Sequence, residues 1–209
     1  LGLSTQGAIE PAGQFDDWTF FGRAGQVIGV QLNPGSTAPA ASAPFLNRGL
    51  VTLLDANGIS LGSATSAAHG AVATLSGVVL PVDGFYTVRV QAPPAFGSNT
   101  GNYLLTAYDT TPQVSPLVVN QNASGSIGNP LASDQWTFAA KAGNQIQFDL
   151  LNRSGGVGFD LRGPGGYVAF TARQSDSDLI TLPSSGAYTV TARLLSGQNG
   201  SYTFKLVQT

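Results

Sequence analysis

The sequence predicts an all-β protein built from two copies of one domain. The strongest sign is a sequence motif, Asp-x-Trp-Thr-Phe, that occurs at residues 16–20 and again at residues 134–138, with the two tryptophans 118 residues apart. Short runs that alternate apolar and polar side chains lie between Gly and Pro positions, and helix signals are nearly absent. Turn residues at intervals of roughly 8–12 residues are typical of a β-sandwich or barrel. An internal repeat in a chain of 209 residues therefore indicates two tandem domains.

The repeat also sets the expected domain boundaries. The first domain is predicted over residues 1–109 and the second over residues 122–209, joined by a short proline-containing linker over residues 110–121. The spacing between matching positions shrinks along the chain, which places two insertions in the first copy, within residues 33–49 and near residues 93–99. A domain of about 100 residues is long enough to bury a hydrophobic core without disulfides or metals.

Alternation within the repeated strands predicts which side chains form the core. Ile28, Val30 and Leu32 share one face, because successive side chains of a strand point to opposite faces. Trp and Phe of the repeated phrase are two residues apart, so each tryptophan is predicted to be a core anchor. The aspartates two residues ahead of them, Asp16 and Asp134, are predicted to hydrogen-bond a nearby turn.

Composition limits the classes of function. Charged residues make up 10% of the chain, the formal net charge is −2 and hydrophobic residues make up 42%. Such an uncharged polar surface gives no electrostatic reason to bind nucleic acid or anionic lipid. The chain has no Cys, which excludes disulfides and cysteine-based zinc sites. No apolar run approaches the length of a membrane helix, and the lack of Met is expected of a processed chain or an excised fragment. The composition indicates a bacterial extracellular protein.

The order of motifs resembles the bacterial pre-peptidase C-terminal domain in both halves of the chain. The motifs are Gly-x-Ile, Asp-x-Trp-x-Phe, an Ala-Gly turn, Leu-Pro-x-x-Gly-x-Tyr-x-Val and a final Gly-x-Tyr. In the first copy they begin at Gly7, Asp16, Ala24, Leu80 and Gly101. In the second copy they begin at Gly125, Asp134, Ala142, Leu182 and Gly200.

This resemblance implies two tandem, jelly-roll-like β-sandwich domains of a secreted protein. Modules of this family are non-catalytic: they bind a substrate or polymer, act as spacers or are removed after secretion. Relatives that bind collagen hold calcium with acidic clusters. This chain has a single Glu, Glu10, and no dense acidic stretch ahead of either domain, so calcium is not expected at that position.

Residues able to carry catalysis or hold a metal are scarce. His69 is the one histidine, lies among small residues and is predicted to be an exposed loop residue, because no Gly-x-Ser-x-Gly motif is present. No catalytic residue and no enzyme activity is predicted. One calcium site is considered, at Asp160, Asp176 and Asp178, because carboxylate oxygens are ligands that calcium prefers. The alternative is that these aspartates belong to an ordinary solvated loop, and no other cofactor is expected.

Aromatic residues present in only one copy are the candidates for a binding surface. Phe21 corresponds to Ala139 and Phe85 to Ala187, so these phenylalanines are not needed by the shared core. Exposed apolar patches tend to mark interaction surfaces. The candidate binding residues are Phe21, Phe45, Arg48, Phe96, Tyr167 and Phe170. The alternative is that aromatic residues of the insertions fold back to plug one end of the sandwich or pad an interdomain contact.

These features together predict a non-catalytic binding module of a larger secreted protein. The expected partner is an extracellular polymer, either polysaccharide or protein, or another domain of the parent protein, but neither nucleic acid nor membrane. A binding module of either kind would carry exposed and roughly coplanar aromatic rings. The alternatives are a structural spacer or adhesin stalk, and a removable C-terminal segment of a secreted protease.

Overall fold

The computed structural model of the chain describes residues 1–208 and is built almost wholly from β-strands. The chain divides into two compact units, Leu1–Thr110 and Thr111–Thr209. The helical elements within residues 1–208 are two single turns of 3-10 helix, Pro94–Phe96 and Pro164–Gly166. No helix in this part of the chain is long and apolar enough to cross a membrane. The predicted all-β class is confirmed.

The first unit is a sandwich of two four-stranded sheets. Its strands are β1 (Ser4–Ile9), β2 (Phe15–Gly22), β3 (Val27–Asn33), β4 (Leu50–Leu54), β5 (Ser60–Thr65), β6 (Ala73–Val79), β7 (Gly84–Gln91) and β8 (Gly101–Asp109). They pair as nested antiparallel partners, β1 with β8, β2 with β7, β3 with β6 and β4 with β5. The resulting sheets have the orders β1-β8-β3-β6 and β2-β7-β4-β5, which is the eight-stranded arrangement of a jelly roll.

The second unit repeats this architecture and adds one strand. Its strands are β9 (Gln113–Pro116), β10 (Asn122–Ile127), β11 (Ser133–Ala140), β12 (Gln145–Arg153), β13 (Val157–Arg162), β14 (Val168–Arg173), β15 (Ile180–Thr181), β16 (Gly186–Leu194) and β17 (Gly200–Gln208). The sheets have the orders β10-β17-β12-β15 and β14-β13-β16-β11-β9. Strands β10–β17 therefore occupy the places of β1–β8, and β9 extends one sheet beyond β11.

The segment predicted as a linker is partly structured. Within residues 110–121, β9 pairs in parallel with β11. Leu117, directly after β9, is buried in the core of the second unit. Residues 113–117 of the predicted, partly extended linker therefore belong to the second unit. The prolines of the linker do mark extended chain, but they give no sign that a neighbouring strand edge satisfies the backbone groups of that chain.

Each unit has a hydrophobic core between its two sheets. In the first unit Ile28, Val30 and Leu32 are fully buried, as their alternation predicts. The tryptophans lie nearer the edge of the core than the sequence suggests. Trp18 and Trp136 are both half-buried and pack against the core clusters of their own units.

The first insertion of the first copy folds back onto the end of the sandwich. Leu46 is fully buried, and its N–H donates to the carbonyl of Asn102 at 2.9 Å. The backbone of Gly101 passes so close that a Cβ there would lie 2.6 Å from the carbonyl carbon of Phe45. Gly101 also has a φ of 130°, so glycine is required at this approach. This packing agrees with the alternative in which the insertion plugs one end of the sandwich.

Candidate functional site

The most regular polar feature is a Trp–Tyr–Asp chain, which we name the tyrosine lock. In the first unit the Trp18 indole N–H donates to the Tyr103 hydroxyl at 2.9 Å, and this hydroxyl donates to Asp16 Oδ2 at 2.6 Å. Trp18 and Asp16 lie on β2 and Tyr103 lies on β8. Because β2 and β8 belong to different sheets, the tyrosine lock ties the two layers of the sandwich together.

The second unit repeats the tyrosine lock with Trp136, Tyr202 and Asp134, at distances of 2.8 and 2.6 Å. A glycine on the first strand completes it, because a Cβ on Gly7 or Gly125 would lie 2.3 Å from the tyrosine hydroxyl oxygen of its unit. Three motifs of the repeat, Gly-x-Ile, Asp-x-Trp and Gly-x-Tyr, therefore meet at one place. The predicted turn contact of the aspartates did not include this distant tyrosine.

The environment of the tyrosine lock keeps its phenols protonated. Burial raises the pKa of Tyr103 and of Tyr202 well above the ordinary tyrosine value, and the hydrogen bond to the aspartate of each unit raises it further. Each hydroxyl thus remains a hydrogen-bond donor at neutral pH, and its hydrogen bonds are made to the tryptophan and the aspartate of its own unit. We assign the tyrosine lock a structural role.

An exposed surface on the β2–β7 pair of the first unit is the second distinctive feature. We name it the aromatic face, and it consists of Phe15, Asp17, Phe21, Phe85 and Arg89. Phe15, Phe21 and Phe85 are 49%, 54% and 66% exposed. Asp17 is directly opposite Arg89, and Phe21 is directly opposite Phe85, in the antiparallel register. Side chains at such paired positions rise from the same side of the sheet.

A charge pair lies between the aromatic residues of this face. Arg89 Nε and a terminal guanidinium nitrogen donate to the two carboxylate oxygens of Asp17 at 2.8 and 2.7 Å. The hydrogen bonds from Arg89 lower the pKa of Asp17, so both partners stay charged at neutral pH. The guanidinium carbon of Arg89 also lies 3.9 Å from the centroid of the Phe15 ring, a cation–π distance. Phe21 and Phe85 meet edge to face, with ring centroids 5.6 Å apart and an angle of 84° between the rings.

All five residues of the aromatic face are replaced in the second unit. The counterparts of Phe15, Asp17, Phe21, Phe85 and Arg89 are Ser133, Gln135, Ala139, Ala187 and Thr191. The inward neighbours are kept, since Phe20 and Phe138 each stack on the tyrosine opposite them in the partner strand. The two units therefore share the inward side of this strand pair and differ on its outward side.

The candidate residues predicted in the first unit fall into two groups. Phe21 belongs to the aromatic face. Phe45 and Arg48 lie in the first insertion and are half-buried. The Arg48 guanidinium carbon is 4.5 Å from the centroid of the Phe96 ring, so these two residues form a cation–π pair of their own. Phe96 is 40% exposed, so this pair lies partly on the surface.

The two candidates predicted in the second unit pack against its core. Tyr167 is half-buried, and its ring centroid is 6.3 Å from that of Tyr188. Phe170 is only 9% exposed, and its ring packs on Phe148 with centroids 5.3 Å apart. The prediction of Phe170 as a surface residue is therefore wrong, because its strand turns this side chain into the core.

The predicted calcium ligands are not assembled. Asp160 is buried, accepts the Ala172 N–H at 2.6 Å and forms an ion pair with Arg193 at 3.2 Å. Burial acts to raise the pKa of Asp160, but the Ala172 hydrogen bond and the Arg193 guanidinium outweigh it and lower the pKa overall. Asp176 accepts a backbone N–H at 2.8 Å. Within residues 1–208 no three acidic or histidine side chains are grouped to hold a metal ion, so Asp160, Asp176 and Asp178 are not a ligand set.

Sequence reasoning missed Phe15, Asp17 and Arg89. A signal for them was present, since each is replaced by an uncharged, non-aromatic residue in the other copy. His69 lies exposed in a loop, as predicted.

Comparisons with known proteins give weak likenesses to solved structures. No family model and no curated protein sequence matches the chain. A periplasmic inhibitor of g-type lysozyme from Aeromonas hydrophila matches with a TM-score of 0.32 and 17% identity, over 46% of this chain and 98% of that chain. The corresponding inhibitor from Salmonella Typhimurium matches with a TM-score of 0.32 and 19% identity, over 45% of this chain and 98% of that chain. The CUB1-EGF-CUB2 segment of human MASP-1/3 matches with a TM-score of 0.29 and 10% identity, over 98% of this chain and 99% of that chain.

At these TM-scores and identities the likenesses carry no argument about function. The strand order within each unit defines the class of the protein: a tandem of two jelly-roll β-sandwich units. The first of these units carries an exposed aromatic and charged surface that the second lacks.

Proposed function

We propose that the chain is a non-catalytic, extracellular binding module of a larger secreted protein, and that it contacts a protein partner through the aromatic face. The observation that carries this proposal is the divergence of that face between two copies of one scaffold. Ser133, Ala139 and Ala187 occupy the same positions in the second unit. The sandwich therefore does not need phenylalanine there, and exposed aromatic groups without a folding role indicate an interaction surface.

The geometry of the face favours a protein over a polysaccharide. Sugar rings stack on flat, accessible aromatic faces, and the expected surface had roughly coplanar rings. Phe21 and Phe85 are instead nearly perpendicular, at 84°. The Phe15 ring is covered on one side by the Arg89 guanidinium. Aromatic and arginine side chains held beside a hydrogen-bonded charge pair are the usual anchors of protein–protein interfaces.

The non-catalytic part of the proposal rests on how the polar groups are used. The tyrosine hydroxyls of both locks make hydrogen bonds within the fold, and Asp160 is engaged by Ala172 and Arg193. The repeated motifs support membership of the pre-peptidase C-terminal type, whose modules are secreted accessories. An uncharged polar composition without Cys is compatible with that setting.

Co-sedimentation tests the proposal with defined probes. The chain is mixed with insoluble fibrillar collagen as a protein polymer and with cellulose and chitin as polysaccharides. We expect retention on collagen, and a loss of at least roughly tenfold in affinity for the double variant Phe21→Ala/Phe85→Ala, the size typical of a hot-spot residue. Ile59→Ala is the matched control, because Ile59 is an apolar side chain that is 61% exposed on the β4–β5 turn.

Two outcomes contradict the proposal. Retention on cellulose or chitin that depends on Phe21 and Phe85 would assign the face to a polysaccharide. Lack of retention on every probe would favour the spacer function.

A further inference from the structure

Two arginines of the second unit are held by the loop that follows β14. Arg153 Nε donates to the Gln174 carbonyl at 3.2 Å. Arg173 Nε donates to the Ser175 and Asp176 carbonyls at 3.0 and 3.1 Å, and a terminal nitrogen of Arg173 also donates to the Asp176 carbonyl. The loop therefore holds two guanidinium groups on three consecutive peptide carbonyls. We name Arg153 and Arg173 the arginine pair.

The arginine pair takes part in none of the ion pairs found within residues 1–208. Those ion pairs join Asp17 to Arg89, Asp160 to Arg193 and Asp149 to Lys205. Asp176 and Asp178 lie in the same loop, but the Asp176 carboxylate accepts the Leu150 N–H at 2.8 Å instead of a guanidinium. Because a guanidinium stays protonated and a peptide carbonyl carries only a partial charge, both arginines keep their positive charge.

The arginine pair also keeps hydrogen-bonding capacity. A guanidinium has five N–H donors in a planar fork that matches a carboxylate bidentately. Within the described part of the chain Arg153 uses one of these donors and Arg173 uses two. Arg153 is exposed and Arg173 is half-buried, so a ligand can reach both. Two like charges held close together repel, and an anion bound between them relieves that repulsion.

The equivalent place in the first unit holds one arginine, and its guanidinium is covered. Arg48 reaches the carbonyls of Ser66 and Ala67, which directly follow β5, at 3.5 and 3.4 Å. The Phe96 ring lies over this guanidinium, with 4.5 Å between its centroid and the guanidinium carbon. The first unit has three basic and six acidic residues, whereas the second has six basic and five acidic residues. The second unit is therefore the one suited to an anionic ligand.

The surroundings of the arginine pair favour a sugar polymer as the carrier of the anion. The exposed side chains beside it include the neutral polar residues Asn152, Ser154, Gln174 and Ser175. Amide and hydroxyl groups of this kind hydrogen-bond sugar hydroxyls. Nucleic acids are bound by basic grooves with exposed aromatic side chains, and the net charge of −2 gives the chain little attraction for a phosphate backbone. Protein interfaces are likewise enriched in aromatic anchors.

We propose that the arginine pair is a binding site for the carboxylate groups of an acidic polysaccharide. The guanidinium forks of Arg153 and Arg173 donate to the carboxylate of a uronic acid residue. The neighbouring amide and hydroxyl side chains hydrogen-bond the hydroxyls of the adjoining sugars. The site belongs to the second unit, so it depends neither on the aromatic face nor on the protein partner proposed for that face.

Isothermal titration of the full chain tests this proposal with three probes: polygalacturonate, neutral dextran and poly-L-glutamate. We expect polygalacturonate to bind, with an affinity that falls as salt is added, and dextran not to bind. The double variant Arg153→Gln/Arg173→Gln is expected to bind polygalacturonate at least roughly tenfold more weakly, because hydrogen bonds from charged groups are lost. Arg153→Gln alone is expected to show part of this loss, and it breaks only one hydrogen bond to the loop.

The matched control is Arg23→Gln/Lys141→Gln, which removes the same amount of positive charge. Both residues are exposed, between β2 and β3 and between β11 and β12. Its affinity for polygalacturonate is expected to stay near that of the unmodified chain. The unfolding midpoint of every variant is measured alongside, so that loss of the fold is distinguished from loss of the site. An unmodified chain that does not bind polygalacturonate, an equal loss in the control, or tighter binding of poly-L-glutamate would overturn the proposal.

Discussion

Removing the hydroxyl of Tyr103 tests whether the tyrosine lock holds the two sheets of the first unit together. Tyr103→Phe keeps the ring against Gly7 and deletes two hydrogen bonds, one from the Trp18 indole and one to the Asp16 carboxylate. Tyr202→Phe is the same change in the second unit. Because only one oxygen atom is lost, the packing of the surrounding core is little disturbed.

The expected cost follows from the two bonds. A hydrogen bond to a charged group contributes about 1.5–3 kcal/mol, and one between neutral groups about 0.5–1.5 kcal/mol. Trp18 and Asp16 are half-buried, so both regain some contact with water when the hydroxyl is absent. The lower part of the summed range applies, and we expect a loss of about 2 kcal/mol in the free energy of unfolding of the affected unit.

Urea denaturation followed by tryptophan fluorescence measures this loss, since each unit contains one tryptophan of its own lock. With a slope of about 2 kcal/mol per molar urea, the midpoint of the affected unit falls by about 1 M. Tyr108→Phe is the control on the same strand, and we expect a change below about 0.5 kcal/mol. If Tyr103→Phe were as stable as Tyr108→Phe, the structural role assigned to the lock would be refuted.

Three further predictions concern packing and charge. Gly7→Ala puts a Cβ 2.3 Å from the Tyr103 hydroxyl and should lower the free energy of unfolding, measured by urea denaturation, by about 1–3 kcal/mol. Gly84→Ala is the control, because a Cβ there has no atom within 4 Å, and it should change the free energy of unfolding by less than about 1 kcal/mol. Leu117→Ala should cost the second unit about 2–4 kcal/mol in calorimetry, and a neutral result would contradict its burial. Asp17→Asn should cost below about 1 kcal/mol at pH 7. Because the hydrogen bonds from Arg89 lower the folded pKa of Asp17, this difference is present above the ordinary aspartate pKa and should vanish as the pH falls through the lowered folded pKa. A difference that persists in strong acid would contradict the ion pair.

The fold was largely predictable because it depends on local sequence patterns, namely the alternation of apolar and polar residues and the repeated motifs. Alternation placed Ile28, Val30 and Leu32 on one face, and all three are buried. The repeat identified two domains because the same turn and core residues recur at matching positions. The parallel pairing of β9 with β11 was not predictable, since the choice of a neighbouring strand depends on contacts distant in sequence.

The candidate site was predictable only in part, for a related reason. Phe21 and Phe170 both lacked an aromatic counterpart, yet one is 54% exposed and the other 9%. Absence from the other copy shows that a residue is not required by the shared core, but it does not show which way the side chain faces. The Asp17–Arg89 pair joins residues on different strands, so its geometry becomes visible only when the register of β2 and β7 is known.

Comparing the two units separates the residues that the sandwich needs in order to fold from the residues that it does not need. Features shared by both units belong to the first group, and features found in one unit belong to the second. The tyrosine lock is present in both, so it belongs to the requirements of the sandwich. The aromatic face is present only in the first unit and the ninth strand only in the second. Both differences fall on the same pair of equivalent strands, β2 and β11. The second unit therefore has small side chains at Ala139 and Ala187 on the outer side of this strand pair, whereas the first unit exposes Phe21 and Phe85 at the same positions, so the scaffold tolerates either outer surface.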